Sequence, residues 1–264
     1  MACLCGTLFA CENVEEKASK KLEAARIAYE QGNYNEAKTQ IDSIKILYPK
    51  AFDTRRKGIL LMQEVELKEQ EKTLSYLDST LIAKQEELKA VSSKYVLEKD
   101  AEYQQIGNYI APSQVLEKNL NRSYLRFQVD ETGKMSMTSI YCGNSSVHHI
   151  AVKVMAPNGD YAETPHSRDS YETTDLGKKI EKADYKLGED GSVIQFICLN
   201  KDKNLKVQYL GDRTYNTTMT AADRKAADDI FRLSQLLSSI TDIKKQMEEA
   251  RLKRDFILRK QAEK

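Results

Sequence analysis

The hydrophobic rhythm of the chain changes along its length, and each change predicts a different element. From Glu15 to Pro49, Ala18, Leu22, Ala25 and Tyr29 fall on one helical face. Gln31-Gly32-Asn33 then interrupts, and Ala37, Ile41, Ile44 and Leu47 make a second face that Pro49 ends. Two short helices around a turn are expected over 12–50, with Ala25 and Ala37 small enough for close approach and Gly32 free to turn.

Leu60, Leu67, Leu74, Leu81, Leu88 and Tyr95 then recur at intervals of seven, with Leu77 and Val91 three places behind members of the stripe. This predicts a long helix over 51–111, with Gln63, Gln70 and Lys84 as polar members of its inner face and Gly58 as a modest cost. The C-terminal segment, 220–264, mirrors it: Thr220 and Asp223 make a capping box, and Leu233, Leu236, Ile240, Ile243, Met247, Ala250 and Ile257 form the stripe. A long helix with one apolar stripe needs a partner. Charge order predicts an antiparallel one within the chain, with Leu60 near Lys260 and Leu97 near Asp223. Glu64, Glu66, Glu69 and Glu71 then face Arg251, Lys253 and Arg254; Lys89 and Lys94 face Asp228 and Asp229; Glu98 faces Arg224. Pairing of each helix with a second copy is the competing arrangement.

Over 112–219 the period falls to two. Tyr124 to Val129 alternates, Asp130-Glu-Thr-Gly133 turns, and Met135 to Tyr141 returns; His149 to Met155 alternates and ends at Pro157-Asn-Gly159. Ser192 to Leu199 and Leu205 to Leu210 read as a further hairpin. The expected fold class is therefore α+β: a helical hairpin and a long antiparallel coiled-coil hairpin carrying a small antiparallel β domain.

Charge narrows the partners. Forty-one basic and 40 acidic residues leave a formal net charge of +1, so no whole-molecule field for nucleic acid is present. The basic residues Arg55, Arg56 and Lys57 would meet Arg254, Arg259 and Lys260 at one end of the paired helices. That end is either an anion-binding site or a solvated group of helix-end charges.

Two short motifs resemble known families. Leu8-Phe9-Ala10-Cys11 resembles the lipobox of bacterial lipoproteins, and Glu12, Glu15 and Glu16 behind it are similar to the acidic export tags of surface lipoproteins in the Bacteroidota. This resemblance implies that 1–11 is the remnant of a signal peptide, that Cys11 is acylated, and that the chain is held on a membrane of the bacterial envelope. Ala25, Gly32, Tyr34, Ala37 and Pro49 match the small, turn, wedge, small and terminator positions of a tetratricopeptide repeat, so 12–50 resembles one such repeat.

Candidate chemistry is sparse. Cys3, Cys5 and Cys11 have no histidine or fourth cysteine beside them, so no metal site is expected, and no cofactor motif is present. Cys142 and Cys198 are either a disulfide or two small buried apolar groups. His148 and His149, adjacent in an expected strand, point to opposite faces and do not share an ion. The stretch from Asp160 to Asp175 offers Tyr161, Glu163, His166, Asp169 and Tyr171 as a ligand loop, or is a solvated crossover. No catalytic constellation is visible. The expectation is a non-catalytic adaptor with a protein partner, the alternative a glycan- or peptide-binding lipoprotein using that loop.

Overall fold

The structure, a computed structural model, describes residues 8–100 and 102–262, with side chains from residue 14 onward. The fold is α+β: among the described residues it holds five α-helices and two antiparallel sheets. The described residues divide into two compact units, one of those up to 81 and from 243 onward, the other of those from 82 to 242.

The first unit is helical. Helix α1 (Leu8–Glu30) and helix α2 (Tyr34–Leu47) are joined through Gly32, whose φ of +77° lies in the left-handed region, while Asn33 N–H donates back to Ala28 O at 2.8 Å. Ala18, Ala25 and Ala37 are fully buried, so the two helices meet through methyl groups as their spacing predicts. Helix α3 (Phe52–Ser92) packs its first turns on this hairpin. A Cβ at Gly58 would lie 3.4 Å from Ile41 Cγ2, which is why α3 comes so close to α2 there. Leu61 and Val65 continue the contact with Ala25, Ala28 and Ile41. Leu60, the expected head of the heptad stripe, is instead 41% exposed, because Gly58 fixes a different face of α3 against the hairpin.

Further along, Leu77 is buried with Ile243 and Met247 of helix α5 (Ala221–Ala262), flanked by Leu74 and Leu81. Of the expected acidic and basic groups in this unit, Glu66 meets Lys253, at 4.0 Å. Glu69 instead takes Lys38 of α2, Glu71 takes Lys68, and Arg254 takes its neighbour Asp255. A third helix within reach of the glutamates redistributes their partners.

The second unit is built on β-strands. Helix α3 ends at Ser92, not at 111: Ser92 and Ser93 favour a turn over helix interior, and the chain re-enters as β1 (Val96–Glu98), which pairs with β2 (Asn108–Ile110). Strands β3 (Tyr124–Asp130) and β4 (Met135–Gly143) form the expected hairpin, with Leu125, Phe127 and Val129 inward. Asp130 Oδ1 holds the turn by accepting from Thr132 N–H at 2.8 Å and Lys134 N–H at 2.9 Å. One sheet runs β1-β2-β3-β4-β8-β7, with β7 at Ser170–Asp175 and β8 at Lys178–Lys186. The other runs β10-β9-β5-β6, from β5 (Ala151–Met155), β6 (Tyr161–Glu163), β9 (Lys206–Leu210) and β10 (Thr214–Thr218).

The run read as a strand over 192–199 is helix α4 (Val193–Leu199). Its buried positions are Val193, Ile194 and Ile197, a helical spacing, and Asp190 Oδ2 accepts the Ile194 N–H at 2.7 Å. Strand β9 pairs with β10 and β5 instead. One core joins both sheets, α4 and the first half of α5, through Phe127, Met137, Val152, Ile194, Tyr209 and Ile230 among others. The capping box forms: Asp223 N–H donates to Thr220 Oγ1 at 3.1 Å. Asp223 also accepts both arms of Arg122, at 2.5 and 3.1 Å, pinning the start of α5 to the entry of β3.

The charge order expected for this unit is replaced by local partners. Asp228 takes Lys201 and Arg232, Asp229 takes Lys225, and Glu98 takes Arg126. Arg224 donates to the carbonyls of Lys201 and Met219. The early end of α3 brings strand and loop groups to these charges that a continuous helix would have excluded.

Candidate functional site

The densest polar arrangement lies inside the second unit. Ser139 comes from β4, Glu181 from the inward register of β8 with Ala183 and Tyr185, and His149 from the segment that leads into β5. Ser139 Oγ lies 2.8 Å from His149 Nε2, and His149 Nδ1 lies 3.0 Å from Glu181 Oε2. An ionised Glu181 only accepts, so Nδ1 carries the proton and Nε2 accepts from the Ser139 hydroxyl. These are the distances of a hydroxyl–imidazole–carboxylate relay.

Its surroundings decide what it can do. Ser139 is 0% exposed and His149 3%, so no substrate carbonyl reaches the hydroxyl. Glu181 is already saturated: Oε1 accepts the N–H groups of Val147 and His148 at 2.6 and 3.0 Å, and Oε2 accepts the N–H and the ring of His149 at 2.9 and 3.0 Å. Burial raises the Glu181 pKa, but the N–H groups of His149 and His148, the imidazole and the Val147 N–H outweigh it and hold the carboxyl below its ordinary value. Burial depresses the His149 pKa, and its bond to Glu181 opposes this without reversing it. The relay therefore clamps three consecutive residues, Val147 to His149, onto β8.

His148 and His149 precede β5 rather than lying in it, and His148 has a φ of +54°. They diverge as expected, His149 inward and His148 outward to Glu172 at 2.8 Å. The Glu172 bond is the main cause raising the His148 pKa. Ligand atoms of His148, Glu172 and Glu181 lie within 4.8 Å of one another. With all four acceptor positions of Glu181 filled, that cluster has two groups free to ligate, fewer than a closed cation site uses.

An open site exists elsewhere in the same unit. The end of α3, the loop after β2 and the first half of α5 enclose a cleft of about 600 Å³. Val91, Tyr95, Pro112, Leu233 and Leu236 give it apolar walls, and Glu87, Lys94, Lys225, Asp229 and Arg232 a charged rim. Tyr95 Oη donates to the Asp229 carbonyl at 3.2 Å and braces one wall. Lys225 and Arg232 are ion-paired along α5, while Lys94 has no ion pair among the described residues. Apolar walls with a few charges at the mouth suit a side chain or a small amphipathic group.

No family model, curated protein or solved structure matches this chain.

The sequence-based candidates are scattered. Cys142, at the end of β4, and Cys198, on α4, are both free thiols, so of the two alternatives the disulfide is not formed. Cys198 is helical rather than at a strand end, and burial pushes its thiol up to about 12. The stretch read as a ligand loop or a solvated crossover is mostly strand: Tyr161 and Glu163 lie on β6 at the edge of one sheet, Tyr171 on β7 at the edge of the other. Lys153 Nζ already covers the Tyr161 ring at 3.6 Å and pairs with Glu163 at 3.4 Å. Asp169 and His166 lie between these strands, both exposed. Among the described residues no hydrogen bond, ion pair or ring contact gathers the five.

Arg55 donates to the Pro49 carbonyl, Arg254 to Asp255 and Arg259 to the Asp255 carbonyl, while Lys260 lies over the Phe256 ring and Arg56 and Lys57 are exposed. Cys11 falls in the opening turns of α1, and its side chain lies outside the described residues, as do Cys3 and Cys5. No helix among the described residues is long and apolar enough to cross a membrane. The signals missed in the sequence were an acid, Glu181, in the inward register of a strand, and Ser139 inside an apolar one.

Proposed function

We propose that this chain is a non-catalytic lipoprotein of the bacterial envelope that works as an adaptor, taking side chains of a protein partner into the cleft beside Tyr95. The observation that carries the reading is the contrast between the two polar sites. The relay holds the groups a hydrolase uses but has its hydroxyl sealed and its carboxylate saturated, whereas the cleft is open, apolar-walled and equipped with Lys94, which has no ion pair among the described residues. The near-zero net charge speaks for a protein partner over nucleic acid. In this reading α1, α2 and the start of α3 are a tetratricopeptide-like packing unit, and the Leu77, Ile243 and Met247 seam is a short antiparallel coiled-coil contact. The lipobox-like Cys11 supplies the membrane anchor.

Ala222 lines the cleft and is exposed, so Ala222→Trp fills the mouth without disturbing the core. Detergent-solubilised envelopes are passed over affinity-tagged wild type and the variant at equal loading. A stoichiometric protein retained by wild type and lost from Ala222→Trp is the expected result. The same proteins on both, or a hydrolytic activity that Ser139→Ala abolishes, would overturn the adaptor reading.

A further inference from the structure

The corner between α2 and α3 carries apolar side chains on its outer as well as its inner side. Ala51 and Ile44 point inward, 0% and 1% exposed, and pack with Ala18, with Val14 and Tyr48 beside them. On the outside, Ile46 is 75% exposed, Leu47 58% and Phe52 71%, and Ile59 extends the same face of α3 two turns on. Isolated exposed apolar residues are ordinary, but three large ones within seven residues of chain, with a fourth two turns on, are not. Their neighbours are cationic. From Lys45 to Lys57 the chain carries five basic residues and one acidic one, Asp53.

Lys45, Lys50 and Arg56 are exposed, and none of the three is ion-paired among the described residues. Two further carboxylates lie nearby: exposed Asp42 lines the groove beside Lys45, while Glu15 is consumed, accepting the Asp53 and Thr54 N–H groups and the Thr54 hydroxyl, the last at 2.6 Å. A groove of about 410 Å³ opens between α2 and α3, with Ile41, Gly58 and Met62 inside and Lys45 and Arg55 at its mouth.

We infer that this corner is a membrane-docking surface for an anionic leaflet. Ile46, Leu47 and Phe52 enter the boundary between headgroups and acyl chains, and Lys45, Lys50, Arg55 and Arg56 hold lipid phosphates. Large apolar side chains interleaved along the chain with Lys and Arg match the two layers that such an interface presents, first charge and then hydrocarbon. The Glu15 bonds place the early part of α1 at the same corner, so a lipid on Cys11 and this surface would engage one membrane together. One acyl chain alone gives marginal, reversible binding, and a basic patch is the second signal that stabilises it. The inference rests on the envelope reading for which membrane the chain meets, but the surface itself does not need the acyl group.

The full chain carrying Cys11→Ala, and so without acyl group, is sedimented with vesicles of phosphatidylcholine alone and of phosphatidylcholine mixed with phosphatidylglycerol. Binding to the mixed vesicles alone is expected, weakened but not abolished by physiological salt. Each cation neutralised at Lys50, Arg55 or Arg56 should lower the partition coefficient about fivefold. Replacing Ile46, Leu47 and Phe52 together by serine should lower it at least about tenfold. These side chains are exposed, and an unchanged circular dichroism melt shows that the variants fold. No binding, or equal salt-insensitive binding to both vesicles, overturns the proposal. A doubled mass in solution that the serine variant abolishes, without vesicle binding, assigns the corner to a second copy and overturns it as well. Fatty-acid labelling of Cys11 in the wild-type chain tests the lipoprotein reading separately, so either idea can fail alone.

Discussion

Replacing Gly58 tests the contact that brings α3 onto the helical hairpin. The Cβ of an alanine there would meet Ile41 Cγ2 at 3.4 Å and Ile44 Cδ1 at 3.9 Å, ordinary van der Waals distances that require no movement. Alanine also removes the backbone entropy that glycine loses inside a helix, a gain of about 1 kcal/mol. Gly58→Ala should therefore stabilise the helical unit by about 1 kcal/mol and raise its unfolding midpoint by about 4 °C. Valine differs in sign. Its extra methyl groups fall where the two isoleucines already are, and overpacking of that kind costs about 1–3 kcal/mol, more than the propensity gain of roughly half a kcal/mol. Thermal unfolding followed by far-ultraviolet circular dichroism reads the two shifts, and amide exchange in α2 assigns them to this contact. Valine tolerated as well as alanine would refute the close approach of α2 and α3, and a lower midpoint for alanine would refute the room for one methyl group between them.

Leu77 is 5% exposed against Ile243 and Met247, so Leu77→Ala should cost about 2–5 kcal/mol in urea unfolding, whereas Leu60→Ala, at a 41% exposed position, should cost under about 1 kcal/mol; equal losses would mean that the helices do not share this seam. His149 links stability to pH. Its pKa in the folded chain is below 6.5, so between that value and 6.5 the unfolded chain binds more protons, and stability falls as pH drops below about 6.5. Glu181, depressed below 4.5, adds a second loss below that pH, while His148, whose pKa is raised, acts in the opposite direction from the surface. Urea midpoints of His149→Gln should be flatter than wild type between pH 6.5 and 4.5, and superimposable profiles would refute the buried neutral imidazole.

What the sequence determined by itself is what depends on near neighbours. The α1–α2 turn at Gly32, the methyl contacts of Ala25 and Ala37, the Asp130 turn and the Thr220 cap are set within a few residues, where backbone sterics and local hydrogen bonds decide. The stripe of α5 was legible for the same reason, because helical periodicity is a local property, and that of α3 only in part, since Leu77 is buried but Leu60 is exposed. Tertiary structure decided whatever depended on competition between distant groups. Leu61 rather than Leu60 turned inward because Gly58 admits Ile41, and the glutamates of α3 were shared with α2 because a third helix stood within reach. The apolar run at 193–199 suits strand and helix alike, and Asp190 together with a core needing a helical spacing made it α4. The relay was hidden because Ser139, His149 and Glu181 come from three segments that only the β4–β8 register brings together, and no local pattern encodes that register. The exposed corner was hidden because Ile44 and Leu47 share the face expected to be buried, and only the packing of Ala18 and Ala51 decides that Ile44 is covered while Leu47 faces water.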